Sequence, residues 1–321
     1  MSVAASLSRR ARWRLAEIVF WLLAFAALLL PPGKHLLLND VAILALFALS
    51  LDLILGYAGI ISLGHAAFFG TGAYAAGIFC KLVTPDPHTG LMVAIAVSAV
   101  LGAVTSLLVL RGSDLTRLMV TLAVALMLHE IANALPQWTG GADGLQGMTV
   151  GPLLGRFDFD LYGRTAYAYS LITLFVLFVL ARRIVHSPFG LSLMAIRRNP
   201  LRAAALGVPN RPRLIAVYTL SAAYAGAAGA LLAQTTAYVS LEMLEFQRSA
   251  DVLLTLIIGG TGWLYGGIAG AIAFKILQDV LSSSAPQFWM FWMGIFLVVL
   301  ALIGRDRLAR EAHRLVAKVW P

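Results

Sequence analysis

The chain has 321 residues, of which 60% are hydrophobic and 12% charged, with a formal net charge of +9. A soluble domain carries about 25% charged residues, and apolar runs that are continuous rather than alternating exclude a β-barrel. What remains is an all-α fold class, a polytopic helical membrane protein.

The first apolar run, IVFWLLAFAALLL over residues 18–30, follows Arg9, Arg10, Arg12 and Arg14. Its flank resembles a secretory signal, but Pro31-Pro32-Gly33-Lys34 stands where a small-residue cleavage site belongs, so the run is expected to stay as a first helix. The chain divides into ten expected spans near residues 17–31, 39–55, 60–82, 91–110, 115–135, 166–182, 213–234, 249–259, 263–281 and 288–304. With the N-terminus in the cytoplasm, the inward ends hold 18 lysines and arginines and the outward loops hold 5, while Lys275 lies inside a span. This bias follows the positive-inside rule. It places both termini in the cytoplasm and accounts for the basic charge without nucleic acid. The expected layout is a basic cytoplasmic segment (1–15), a transmembrane domain (16–304) and a basic cytoplasmic tail (305–321). Cys80 is the only cysteine, so neither an intramolecular disulfide nor a cysteine-based metal cluster is expected. No metal site of another kind is expected either.

Three polar segments leave the expected bilayer: 136–165 and 237–249 outside, and 186–212 inside. The inward segment reads HSPFGLSLMAIRRNPLRAAALGVPNRP. Leu191, Met194 and Ala195 recur at helical spacing, and Arg197 and Arg198 stand at the end where a helix dipole favours cations. Asn199-Pro200 breaks that helix; a second short helix is expected over 201–206, with Gly207 as a left-handed cap. The hairpin reads either as an amphipathic element lying on anionic lipid or as a docking element for a cytoplasmic partner.

The chain lacks GxxxxGK[ST], HExxH, CxxC and GxSxG, and so is not expected to be an enzyme. Ionisable groups within spans are few: Asp52, His65, His129, Glu130, Asp251, Lys275 and Asp279. Lys275 and Asp279 are four apart on one helix and are expected to pair. No compact cluster of charges is legible, which argues against a proton-relay carrier and fits a neutral or zwitterionic apolar solute.

Glycine is concentrated twice, in GYAGIISLGHAAFFGTGAYAAG (56–77) and in IIGGTGWLYGGIAGAIAF (257–274). In each a glycine-rich break precedes a helix, and paired interrupted spans point to an internal repeat with a pathway between its halves. Gly56, Gly59, Gly64, Gly259, Gly260 and Gly262 are expected to shape the breaks, and Gly70, Gly72 and Gly77 to let helices approach closely. A buried His65 needs partners for its ring nitrogens. Ser62 and carbonyls freed by the break are expected to supply them, in a structural rather than a pathway-lining role.

Four stretches occur in order: the glycine motif with SLGHAAFF (62–69), TGGADGL (139–145), GLSLMAIRRNPLRAAALGV (190–208) and LIIGGTGWLYGGIAGA (256–271). Together they resemble the M-type permease subunit of branched-chain amino acid (LivM-like) ABC importers, over about residues 41–304. The resemblance implies a type II importer permease in the bacterial inner membrane, paired with an H-type permease. Two cytoplasmic ATPases would bind ATP and Mg beneath it, and a periplasmic substrate-binding protein would deliver solute; this chain itself would hold no cofactor. The 186–212 segment corresponds to the family's coupling loop, which implies ATPase-contact roles for Ala195, Arg197, Arg198, Asn199, Pro200, Ala204 and Gly207. The family often has acidic residues near 199–205, whereas this chain has NPLRAAA with Arg202, a more basic face. The outward loop 136–165 offers Thr139, Gly140, Gly141, Asp143 and Gly144 either as a binding-protein contact or as a plain turn. Family substrates include branched-chain and other neutral amino acids, with urea, amides and aromatic acids among relatives. The alternative is a stand-alone channel or secondary transporter for a small neutral solute, with the hairpin resting on lipid.

Overall fold

The computed structural model describes residues 13–31, 33–284 and 286–303; the tail expected at 305–321 and most of the segment expected at 1–15 lie outside them. In chain order the helices are α1 (Leu15–Ala26), α2 (His35–Asp52), α3 (Ala66–Leu82), α4 (Pro87–Val109), α5 (Asp114–Ala134), α6 (Arg164–Val185), α7 (Pro188–Arg198), α8 (Pro200–Ala205), α9 (Asn210–Thr236), α10 (Phe246–Gly259), α11 (Leu264–Ser284) and α12 (Trp289–Ile303). Among the described residues six helices are long and apolar enough to cross a membrane: α2 with its continuation to Tyr57, α4, α5, α6, α9 and α11. Two further apolar segments, Leu15–Leu29 and Ala66–Leu82, are shorter. The protein is therefore a multi-pass helical membrane protein.

Local chemistry sets the helix ends. Asp86 Oδ2 accepts from Thr89 N–H at 3.1 Å with Pro87 in the first turn, so α4 starts there. Asp160 does the same work for α6, accepting from Arg164 N–H at 3.2 Å and Thr165 N–H at 2.8 Å. Ser187-Pro188 opens α7, and Asn199-Pro200 closes it.

The centre of the bundle is α9, which packs on α2, α3 and α4, while α2 also meets α6, α10 and α11. Small residues make this possible. A Cβ on Gly72 of α3 would fall 2.3 Å from the Gly226 carbonyl oxygen of α9, so the two backbones touch as they do at small-residue helix crossings. By contrast, 22% of the apolar window of α5 is buried, against 72% for α2, which places α5 on the periphery. At the end of the bundle that carries α7, Arg182 pairs with Glu17 at 2.8 Å and sits over the Trp13 ring at 4.6 Å, fastening α1 to α6.

Candidate coupling site

The two glycine breaks lie together, directly against α7. Helix α2 does not stop at Asp52 but widens into a π turn over Leu53–Tyr57. Such turns release backbone groups from the regular ladder and recur at functional sites. The chain then reverses through Gly59, whose φ of +75° suits glycine, and a bond from Ile60 N–H to the Ile54 carbonyl at 2.9 Å closes the turn. Arg197 of α7 donates from Nη1 to the Gly56 carbonyl, and its aliphatic stem covers Gly59, where an added Cβ would lie 2.9 Å from Cγ.

The break of the second half enters from the other side. Gly262 N–H donates to Asp52 Oδ1 at 2.7 Å. A Cβ on Gly56 would fall 2.0 Å from Asp52 Oδ1 and 2.5 Å from Gly262 N, so only glycine admits this approach. Asp52 is fully buried, and its Oδ2 has no hydrogen-bond partner among the described residues. One guanidinium thus ties the first break to α7, and one carboxylate of α2 ties the second break to the first. The Asp52 carboxylate is buried while Arg197 is exposed, so the contacts run from the surface of α7 through Gly56 to the buried acid and Gly262.

The remaining break residues shape close backbone approaches and turns. Gly64 abuts the Thr121 carbonyl of α5, and Gly259 abuts the Gly266 carbonyl of α11; Gly260 has φ +99°. His65 corrects an expectation. Its Nε2 lies 2.8 Å from Ser50 Oγ and its ring stacks on Phe47 at 5.5 Å, whereas the buried Ser62 hydroxyl and His65 Nδ1 have no partner among the described residues. The neighbouring helix α2, not the adjacent loop, serves the histidine. Lys275 is a second correction: it pairs with Asp40 of α2 at 3.3 Å, while Asp279 is exposed. The packing of α11 on α2 brings a closer acid than the next turn of α11 does.

The outer face of the hairpin is open. Leu193, Ile196 and Ala203 are buried, while Ala195, Arg197, Arg198, Asn199, Pro200, Ala204 and Gly207 are exposed. Asn199 Oδ1 accepts from Arg202 N–H at 2.9 Å, capping α8, and Gly207 ends the hairpin with φ +82°. Leu201 and Leu206 are 82% and 77% exposed beside a groove of about 390 Å³ that Met194, Arg198 and Arg202 help line. At the opposite end, Thr139 and Gly141 are buried, with Thr139 Oγ donating to the Ala132 carbonyl at 2.6 Å. Gly144 lies against Tyr238, Gly140 is half-buried, and Asp143 is exposed.

Asp52 was counted among the ionisable groups of the spans, but sequence reasoning gave it no place at the breaks. The signal was present: an acid inside an apolar run that ends in glycine, LDLILGYAG, is exceptional in a membrane span.

Interrupted helices that meet inside a helical bundle are the arrangement on which membrane transporter folds build their sites. The chain belongs to the family described as branched-chain amino acid transport system / permease component, whose family model matches residues 35–302. It is 28% identical to the high-affinity branched-chain amino acid transport system permease protein LivM of Escherichia coli, over 82% of this chain and 66% of that protein. The LivM protein of Salmonella typhimurium is 27% identical over the same shares. A probable branched-chain amino acid transport permease protein LivH of Methanocaldococcus jannaschii is 24% identical over 78% of this chain and 82% of that one. The chain therefore spans slightly under two thirds of the length of the LivM relatives. No solved structure matches it.

Proposed function

We propose that this chain is the membrane permease subunit of an ATP-driven importer for branched-chain or related neutral amino acids, working by alternating access in the bacterial inner membrane. The observation that carries the reading is the Arg197–Gly56–Asp52–Gly262 node, in which an exposed hairpin holds the first helix break and Asp52 joins that break to the second. The printed names of the relatives, branched-chain amino acid transport permeases, support the substrate class. In this reading α1 to α6 and α9 to α12 pass as ten spans, both termini face the cytoplasm, and α7–α8 is the coupling loop. An H-type permease completes the membrane unit. Two ATPases bind ATP and Mg, and one of them seats an apolar ridge in the groove that Leu206 and Met194 help line. A periplasmic binding protein supplies solute at the far end, where Asp143 offers an exposed carboxylate. ATP binding shifts α7; Arg197 carries the shift to the Gly56 carbonyl and Asp52 carries it to Gly262. Such a device acts only by favouring one of two states.

The test is mass spectrometry of what co-purifies with the affinity-tagged chain, gently solubilised from its own membrane. A second permease and ATPase subunits are the expected companions. A homo-oligomer without ATPase, even after crosslinking, would overturn the reading in favour of a stand-alone transporter.

A further inference from the structure

Near the end of the bundle opposite α7, helices α2, α10 and α11 bring four charges to one cavity of about 140 Å³: Asp40, Arg248, Asp251 and Lys275. They alternate in sign and sum to zero. Asp40 and Asp251 each lie five residues into their helices, about 8 Å from the helix start, and Lys275 lies in the middle of α11. The apolar part of the lining is built from Ile43, Phe47, Phe69 and Phe274. Lys275 Nζ reaches Asp40 Oδ2 at 3.3 Å, and Asp251 Oδ1 accepts from Gln247 at 3.0 Å. The Arg248 side chain makes no hydrogen bond or ion pair among the described residues, although it lies near enough to act on Asp251 through its charge. A guanidinium free to bond beside two carboxylates, at membrane depth and facing a cavity, is not how a purely structural ion pair is built.

We propose that this cavity is a transient binding site for the zwitterion of an α-amino acid with an aliphatic side chain. Arg248 takes the α-carboxylate in its two-pronged fork, Asp251 takes the α-ammonium group, and the side chain lies on the Phe47–Phe274 wall. The Lys275–Asp40 pair closes the empty site from the α11 side. Size agrees: an apolar cavity of about 150 Å³ holds benzene, so about 140 Å³ takes a branched aliphatic group. The substrate class rests on the importer reading, but the site's chemistry stands without it.

The experiment is a thermal-shift titration without ATP, on the co-purified membrane complex freed of any periplasmic binding protein, in nanodiscs. The probes are L-leucine, 4-methylpentanoate (no ammonium group) and isoamylamine (no carboxylate). Leucine alone is expected to raise the melting temperature saturably. Arg248→Gln and Asp251→Asn are each expected to raise the half-saturating concentration by about ten-fold or more, the loss of one charge-assisted contact. If one variant fails to assemble, the other carries the test. Equal shifts with the single-charge probes, no shift with leucine, or a leucine shift that survives in an assembled variant would each overturn the site. Because the readout needs no ATP turnover, it separates from the co-purification result: loss of the ATPases refutes the importer, whereas a variant-insensitive shift refutes only this cavity.

Discussion

At the scale of single residues, the node depends on one guanidinium. Arg197→Ala removes a charge-assisted bond of about 1.5–3 kcal/mol but leaves the buried face of α7 intact. We expect leucine uptake to fall by roughly ten-fold or more while the assembled complex still hydrolyses ATP; uptake and hydrolysis that fall together would point to misassembly instead. Arg197→Lys keeps the charge, loses the planar fork, and should be intermediate. Asp160 offers a pH test outside the membrane. Burial pushes its carboxyl up, but the N–H groups of Thr165 and Arg164 outweigh burial and hold it below the usual carboxylate range. Its stabilisation is therefore fully present above the ordinary aspartate pKa and is lost as pH falls through the depressed value. Asp160→Ala should cost about 1 kcal/mol near neutrality and little in strong acid, which melting curves against pH would show.

At the scale of elements, glycine has two separable uses. Gly72 lets α3 touch α9, and a methyl there meets the Gly226 backbone, which cannot move aside. Gly72→Ala should lower the melting temperature of the detergent-solubilised protein by an amount equivalent to about 1–3 kcal/mol. Gly207 has nothing within 4 Å of an added Cβ, only a left-handed φ of +82°. Gly207→Ala costs about 1–2 kcal/mol in the exposed hairpin alone. It should spare the melting temperature and reduce uptake, and the reverse pattern would show that the hairpin is a passive surface element.

At the scale of the whole molecule, orientation is read by thiol labelling, for which the buried Cys80, 2% exposed, leaves a quiet background. Ala142→Cys in the exposed far loop should react with an impermeant maleimide on intact spheroplasts, and Leu206→Cys only after permeabilisation. The opposite pattern would invert the membrane topology and remove the ATPases from the hairpin.

Membrane class and helix positions follow from the sequence alone, because apolar length and turn chemistry are local: Asn199-Pro200 and Gly207 bound the hairpin by their own backbone preferences. The glycine breaks were legible in the same way, as departures from helical composition, whereas the contact roles of the hairpin residues came only from the family resemblance. Partners across the fold were not. That His65 meets Ser50 rather than Ser62, that Lys275 meets Asp40 rather than Asp279, and that Asp52 bridges to Gly262 depends on how α3, α10 and α11 pack on α2. The same packing gathers Asp40, Arg248, Asp251 and Lys275, scattered over 235 positions of sequence, into one cavity where no cluster was legible. In a low-dielectric bundle a charge takes the nearest opposite charge in space, and sequence spacing gives that neighbour only when both lie on the same helix.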